Sequence, residues 1–117
     1  MVTQFSNGVS VINCTNEMMF FLDDELVPVA PCGMTLGVVR KIDEYQTTGK
    51  ARLFKRVYEK TEKGLEVIKN IRKEHGDEVK IIGTEEDAKA YKGMVVRPRL
   101  VFPDESFLDN LYFEIFL

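Results

Sequence analysis

VKIIGTEEDAKAYKGMVVRPR, residues 79–99, carries the clearest run of structural signals in the chain. Val79-Lys80-Ile81-Ile82 reads as a strand rich in β-branched residues. Thr84, followed three residues later by Asp87, resembles a capping box with an aspartate where glutamate or glutamine is usual. The spacing predicts a short helix over 85–91, stopped at Gly93. From Met94 onward, Val96, Pro98, Leu100 and Phe102 alternate onto one face of a second strand and leave Arg97 and Arg99 on the other. Pro98 marks that strand as an edge or a bulge, because proline donates nothing to a ladder.

The residues on either side extend the pattern. Thr61 is a candidate N-cap, and Leu65, Val67, Ile68 and Ile71 give the apolar stripe of a helix over 61–75. Lys69, Arg72, Lys73 and His75 crowd its last turns, where cations suit the dipole, and Gly76 supplies the stop. Gly64 costs about 1 kcal/mol relative to alanine inside a helix, which moves the expected start toward Leu65. Residues 51–60 read as a strand with Leu53, Lys55 and Val57 on one face and Arg52, Phe54, Arg56 and Tyr58 on the other. A strand over 35–45 and a polar turn over 46–50 precede it.

Nearer the N-terminus, 9–14 reads as a strand. Residues 18–22 and 25–29 read as a hairpin turning at Asp23-Asp24, with Pro28 on an edge. Pro103-Asp104-Glu105-Ser106 is a predicted loop, and the alternation over 111–117 predicts a closing strand. The order predicts a single α+β domain over 1–117, with a mostly antiparallel sheet and two helices packed on one side.

With 117 residues, 44% hydrophobic and 30% charged, the composition is that of one ordinary globular domain. A formal charge of −3 argues against broad binding of extended nucleic acid, which needs a positive field, but leaves room for a local basic pocket. The N-terminal segment lacks a basic region followed by a long apolar run, and no stretch reaches the ~18 apolar residues of a membrane helix. Cys14 and Cys32 lack metal-ligand spacing and fit a reduced, cytoplasmic chain. Asn13-Cys14-Thr15 matches a glycosylation acceptor, which has no meaning without secretion.

No phosphate loop, dinucleotide-binding glycine pattern, HExxH or CxxC motif is present. His75 is placed to serve a helix terminus, and neither cysteine has a basic partner in sequence. Glu85, Glu86 and Asp87 fall in the first turn of a helix, where negative charge is favoured. The chain is therefore expected not to be an enzyme, with no metal and no cofactor. Arginines beside aromatics are the stronger candidates. Arg97 and Arg99 lie about 7 Å apart as an i, i+2 pair, and Arg52 and Arg56 share a face with Phe54 and Tyr58. Guanidinium forks match phosphate oxygens and aromatic rings match a nucleobase. On the residues alone, the same arginines are more readily read as ion-pair partners for the 19 acidic residues.

Several stretches resemble small phage and prophage proteins. These are Asn13-Cys14-Thr15, Val27-Pro28-Val29-Ala30-Pro31-Cys32-Gly33, Val38-Val39-Arg40, Ile81-Ile82-Gly83-Thr84 and Ala90-Tyr91-Lys92-Gly93-Met94-Val95-Val96. Asn16 and Glu17 stand where those proteins favour Pro-His, and residues 60–76 match nothing in them. Through this group the chain resembles the phage anti-defence sponges that counter the Thoeris system, which act as oligomers.

That resemblance implies a non-enzymatic, immune-evading protein in the host cytoplasm. It would sequester a cyclic nucleotide or cyclic ADP-ribose-type signal as a homo-oligomer, with no membrane partner. Arg97 and Arg99, helped by Arg52 or Arg56, would hold phosphates, while Phe102, Tyr58 or Tyr91 would stack on the base. The alternative is a protein-interaction module that inhibits or scaffolds a host protein through a sheet edge.

Overall fold

The computed structural model describes residues 1–99 and 108–117. The expected strand positions Leu100 and Phe102, and the loop 103–106, lie outside the described residues. The strands are β1 (Thr3–Gln4), β2 (Ser10–Asn13), β3 (Met19–Asp23), β4 (Glu25–Val29), β5 (Val38–Thr48), β6 (Ala51–Lys60), β7 (Lys80–Ile82), β8 (Val96–Pro98), β9 (Leu108–Asp109) and β10 (Phe113–Ile115). Helix α1 (Glu62–His75) lies between β6 and β7, and α2 (Glu85–Ala90) between β7 and β8. The fold is α+β, and most of its strand pairing is antiparallel.

A five-stranded sheet in the order β1-β2-β7-β8-β10 forms the middle layer. β2, β7 and β8 run parallel, with antiparallel β1 and β10 at the two ends. Strand alternation sends Ile12 and Ile81 to one face and Val11 and Ile82 to the other. Ile68 and Ile71 of α1 pack on the first face with Ala88 and Tyr91 of the α2 region. Both helices therefore cover the same side. A three-stranded sheet, β4-β3-β9, covers the other side through Phe21 and Val29. The Phe21 ring lies 5.0 Å from Phe5 and 6.1 Å from Phe113 between centroids.

Asn13, the residue of the glycosylation signal, is fully buried at the end of β2. Its amide donates to the carbonyls of Glu17 and Val29 and its oxygen accepts from Thr15, which fixes the chain's exit toward the hairpin. The hairpin turns at Asp24, with φ 64°. Pro28 sits on the outer strand, as proline's missing donor requires.

Among the described residues, β5 and β6 form a two-stranded ribbon hydrogen-bonded to neither sheet. β5 continues through Thr48, so the residues expected as a polar turn are mostly paired strand, and the turn narrows to Gly49-Lys50. A bulge between Glu44 and Gln46 accommodates the extra residue. The ribbon gives the molecule a longest dimension of 55 Å and a radius of gyration of 16.3 Å. A compact chain of this length would have about 13 Å.

Three other expectations change. Helix α1 starts at Glu62, with Thr61 capping the Gly64 amide, so Gly64 lies inside it and is buried, whereas Leu65 is exposed. β8 is an inner strand rather than an edge. Pro98 is tolerated because pairing with β7 is confined to Ile82 and Val96. The edge role belongs to β10, which is shorter than the alternation over 111–117 predicts. Among the described residues, no helix is long and apolar enough to cross a membrane.

Candidate functional site: a cationic aromatic cleft

Tyr58 lies near the base of the ribbon, opposite Arg40. Both α2 and Phe116, just after β10, approach it there. Lys55, Arg56, Tyr58, Lys89, Lys92 and Phe116 line a cleft of about 370 Å³ at this junction. Alternation along β6 places Arg56 and Tyr58 on the same face. Lys89 is in the last turn of α2, and Lys92 follows it by three residues. The hydrogen bond from the Gly93 amide to the Phe116 carbonyl, 2.8 Å, ties the chain end beside them.

The Lys89 ammonium sits 6.0 Å from the Tyr58 ring centroid and 5.8 Å from that of Phe116. It is held there partly by Glu85, 3.2 Å away and one helical turn earlier. The hydrogen bond from Lys89, with the nearby Arg97 charge, lowers the Glu85 carboxyl from its ordinary pKa. Three cationic side chains, Arg56, Lys89 and Lys92, and two aromatic rings thus meet in one cleft, while Lys55 alternates to the other face of β6, its ammonium 5.6 Å from the Tyr45 ring centroid. That combination suits a planar ligand carrying phosphate: ring faces for a base, ammonium and guanidinium groups for the anion.

A larger cleft, about 510 Å³, lies between Thr35–Arg40 and the start of α2. Its chemistry is opposite. Glu85, Glu86 and Asp87 line it, and its arginine, Arg40, is already paired with Glu86. The capping box is complete: the Asp87 amide donates to Thr84 Oγ1 at 3.1 Å, and the Thr84 amide donates to Asp87 Oδ2 at 3.0 Å. These carboxylates serve the architecture of the helix start and repel an anion.

The arginine pair that drew attention in the sequence is placed elsewhere. Arg97 is half-buried between Glu85, 3.1 Å away, and Glu114, its cross-strand partner. Arg99 is exposed just beyond β8, its amide donating to the Tyr112 carbonyl. Neither lines the cationic cleft. Arg52 lies toward the far end of the ribbon, opposite Thr47. Among the described sequence candidates, only Arg56 and Tyr58 come together in the cleft. Tyr91 is a core residue, not a stacking platform. Its ring is fully buried, and its hydroxyl donates to the Gly37 carbonyl at 2.7 Å and accepts from the Thr61 amide at 3.1 Å. Phe102 lies outside the described residues.

Lys89, Lys92 and Phe116 were not singled out in the sequence. A local signal for the lysines existed, since Lys89 and Lys92 are three apart around a helix end. No local signal pairs them with β6.

The two cysteines also meet, with Cys14 Sγ 3.7 Å from Cys32 Sγ. Both are free thiols, Cys14 buried and Cys32 half-buried. Burial, reinforced by Cys32, pushes the Cys14 thiol well above its ordinary pKa. No family model, curated protein or solved structure matches this chain.

Proposed function

We propose that this protein binds and sequesters a small nucleotide-derived anion, of the cyclic nucleotide or cyclic ADP-ribose type, in the cleft between β6, α2 and the chain end. The observation that carries the reading is the convergence of Arg56, Lys89 and Lys92 with Tyr58 and Phe116. Phosphate oxygens would be held by Arg56 and Lys92. A base would compete with Lys89 for the Tyr58 and Phe116 rings, releasing that ammonium toward the phosphate. The reading is of binding without turnover: among the described residues, the carboxylates of α2, Glu85, Glu86 and Asp87, are engaged in ion pairs or the helix cap. The resemblance to phage anti-defence sponges supports the same ligand class.

Calorimetry with a panel of cyclic mono- and dinucleotides and ADP-ribose cyclisation products tests the reading. Micromolar or tighter binding is expected for at least one ligand, weakened about tenfold or more by Arg56→Ala or Lys92→Ala. Intact ligand should be recovered after denaturation. Absence of heat across the panel, or conversion of the ligand, overturns the proposal.

A second reading, in which the chain inhibits or scaffolds a host protein, draws on β10. That strand ends the five-stranded sheet among the described residues and carries the exposed Ile115, a geometry open to strand addition. Recovery of a stoichiometric host protein with the wild-type chain, lost on Ile115→Lys, would favour it.

A further inference from the structure

The ribbon leaves large apolar side chains uncovered. Ile42 is 69% exposed, Tyr45 64% and Phe54 60%. Ile42 and Phe54 share a face, because Ile42 pairs with Arg56 and Phe54 with Glu44. An isolated two-stranded ribbon is marginally stable in water and normally needs a third strand or a packed surface. The ribbon is also charged unlike the rest of the chain. Residues 38–60 hold seven Lys or Arg and three Asp or Glu, a formal +4; with −3 for the whole chain, the remainder carries −7.

A surface of matching character lies on the three-stranded sheet. Phe21 points into the core, so its neighbours Phe20 and Leu22 point outward, beside their cross-strand partners Pro28 and Leu26. Phe20 is 46% exposed and Leu26 53%. Asp24 and Glu25, both exposed, put acidic charge where this hairpin turns, while Asp23 is engaged by Ser6 and Asn110 on the inner side.

We propose that these two surfaces are covered by each other in an assembly of two copies: the basic, apolar ribbon of one protomer lies against the acid-rimmed outer face of β3 and β4 of its partner. A second copy satisfies both uncovered faces at once and pairs opposite charges. A nucleic acid would fit the ribbon's charge, but it would leave the β3–β4 face open and meet repulsion from the acidic body. Reciprocal exchange uses the contact twice and closes the assembly as a dimer.

Sedimentation velocity on the full chain, from low to high micromolar concentration, tests this. A dimer is expected, dissociating more readily as salt screens the charges. Ile42→Glu with Phe54→Glu on the ribbon, and separately Phe20→Glu with Leu26→Glu on the sheet, should each abolish it. Charge reversal provides a test that leaves the apolar surfaces intact. Lys50→Glu with Arg52→Glu, or Asp24→Lys with Glu25→Lys, should each weaken self-association about tenfold or more through like-charge contacts. Mixing those two variants should restore a dimer, since the mixed pair has one native and one reversed contact. A wild-type monomer throughout the range overturns the proposal, as does failure of the mixture to recover. So does a monomer whose ribbon instead binds a labelled DNA duplex. Lys50, Arg52, Asp24 and Glu25 do not line the ligand cleft, whereas Ile42 is the cross-strand partner of Arg56, so the charge-reversal variants are the ones in which the ligand reading stands or falls separately.

Discussion

A methyl group placed on Gly64 would sit 1.8 Å from the hydroxyl oxygen of Tyr91. The first turn of α1 therefore rests directly on the phenol that follows α2. That hydroxyl also meets Thr61, the cap of α1, and the carbonyl of Gly37 just before the ribbon. One buried side chain fixes where α1 starts, where the ribbon departs and where α2 ends. Gly64→Ala is accordingly expected to destabilise by about 3 kcal/mol, at the upper end of overpacking costs. Tyr91→Phe should cost about 2 kcal/mol for unpaired buried groups. The double variant should lose less than the sum, because removing the hydroxyl relieves part of the clash. Urea unfolding of the three variants checks this; strict additivity would disprove the contact.

Arg97→Ala should change stability by less than about 1 kcal/mol, because its ion pairs with Glu85 and Glu114 are at the surface. It should leave ligand affinity nearly unchanged, in contrast to Lys92→Ala. Parallel calorimetry of the two variants decides which basic cluster serves the ligand.

The two thiols should react unequally. Cys14 is buried and its pKa is raised, so iodoacetamide at neutral pH should modify Cys32 first and Cys14 only after unfolding. The same shift has a thermodynamic sign. Above the ordinary thiol value of 9.0, the unfolded chain loses the Cys14 proton while the folded chain retains it. Stability from this group is therefore complete below that pH and falls as the pH rises beyond it. Cys14→Ala should flatten the alkaline decline in urea titrations.

Asp23 works in the other direction. Hydrogen bonds from the Ser6 hydroxyl and amide, with a further one from Asn110, lower its carboxyl from the ordinary 3.8. Its contribution is present above that value and is lost as the pH falls through the lowered one. Asp23→Asn should make the acid limb of stability shallower, and a limb of unchanged slope would contradict the assignment.

Ending the chain after residue 112 should abolish cooperative folding. It removes β10, the Phe113 ring against Phe21 and the Phe116 carbonyl that receives the Gly93 amide. Phe113→Ala alone should cost about 2 kcal/mol, below the full-core range because the ring is half-buried. Circular dichroism and thermal melting separate the two outcomes.

Local chemistry made much of this fold legible. Thr61, Thr84 with Asp87, and Gly76 marked the helix ends because caps are written in adjacent residues. The period-2 alternation of β6 gave the right face to Arg56 and Tyr58. Contacts that bridge distant elements were not legible. Gly64 read as a helix weakness until Tyr91 supplied the reason for it. Ion pairing was open to Arg97 and Arg99 in the sequence, but its partner was not, because the sequence does not show Glu114 arriving opposite Arg97. Lys89 and Phe116 join Tyr58 only because the chain end returns past α2. The charge total of −3 averages a basic ribbon with an acidic body, a division whose limits the strand pairing gives.

The ribbon has a consequence for how this protein can vary. Val38 and Lys60 are direct cross-strand partners at its root, and the core begins immediately outside them with Leu36 and Thr61. Reach can therefore change without disturbing any buried residue, but only in matched increments. One extra residue in each strand near the root would turn every more distant side chain to the opposite face. Two in each would restore the faces and carry the tip about 7 Å farther. The molecule thus has a built-in unit of length, and homologues with longer or shorter ribbons should differ by even numbers of residues per strand.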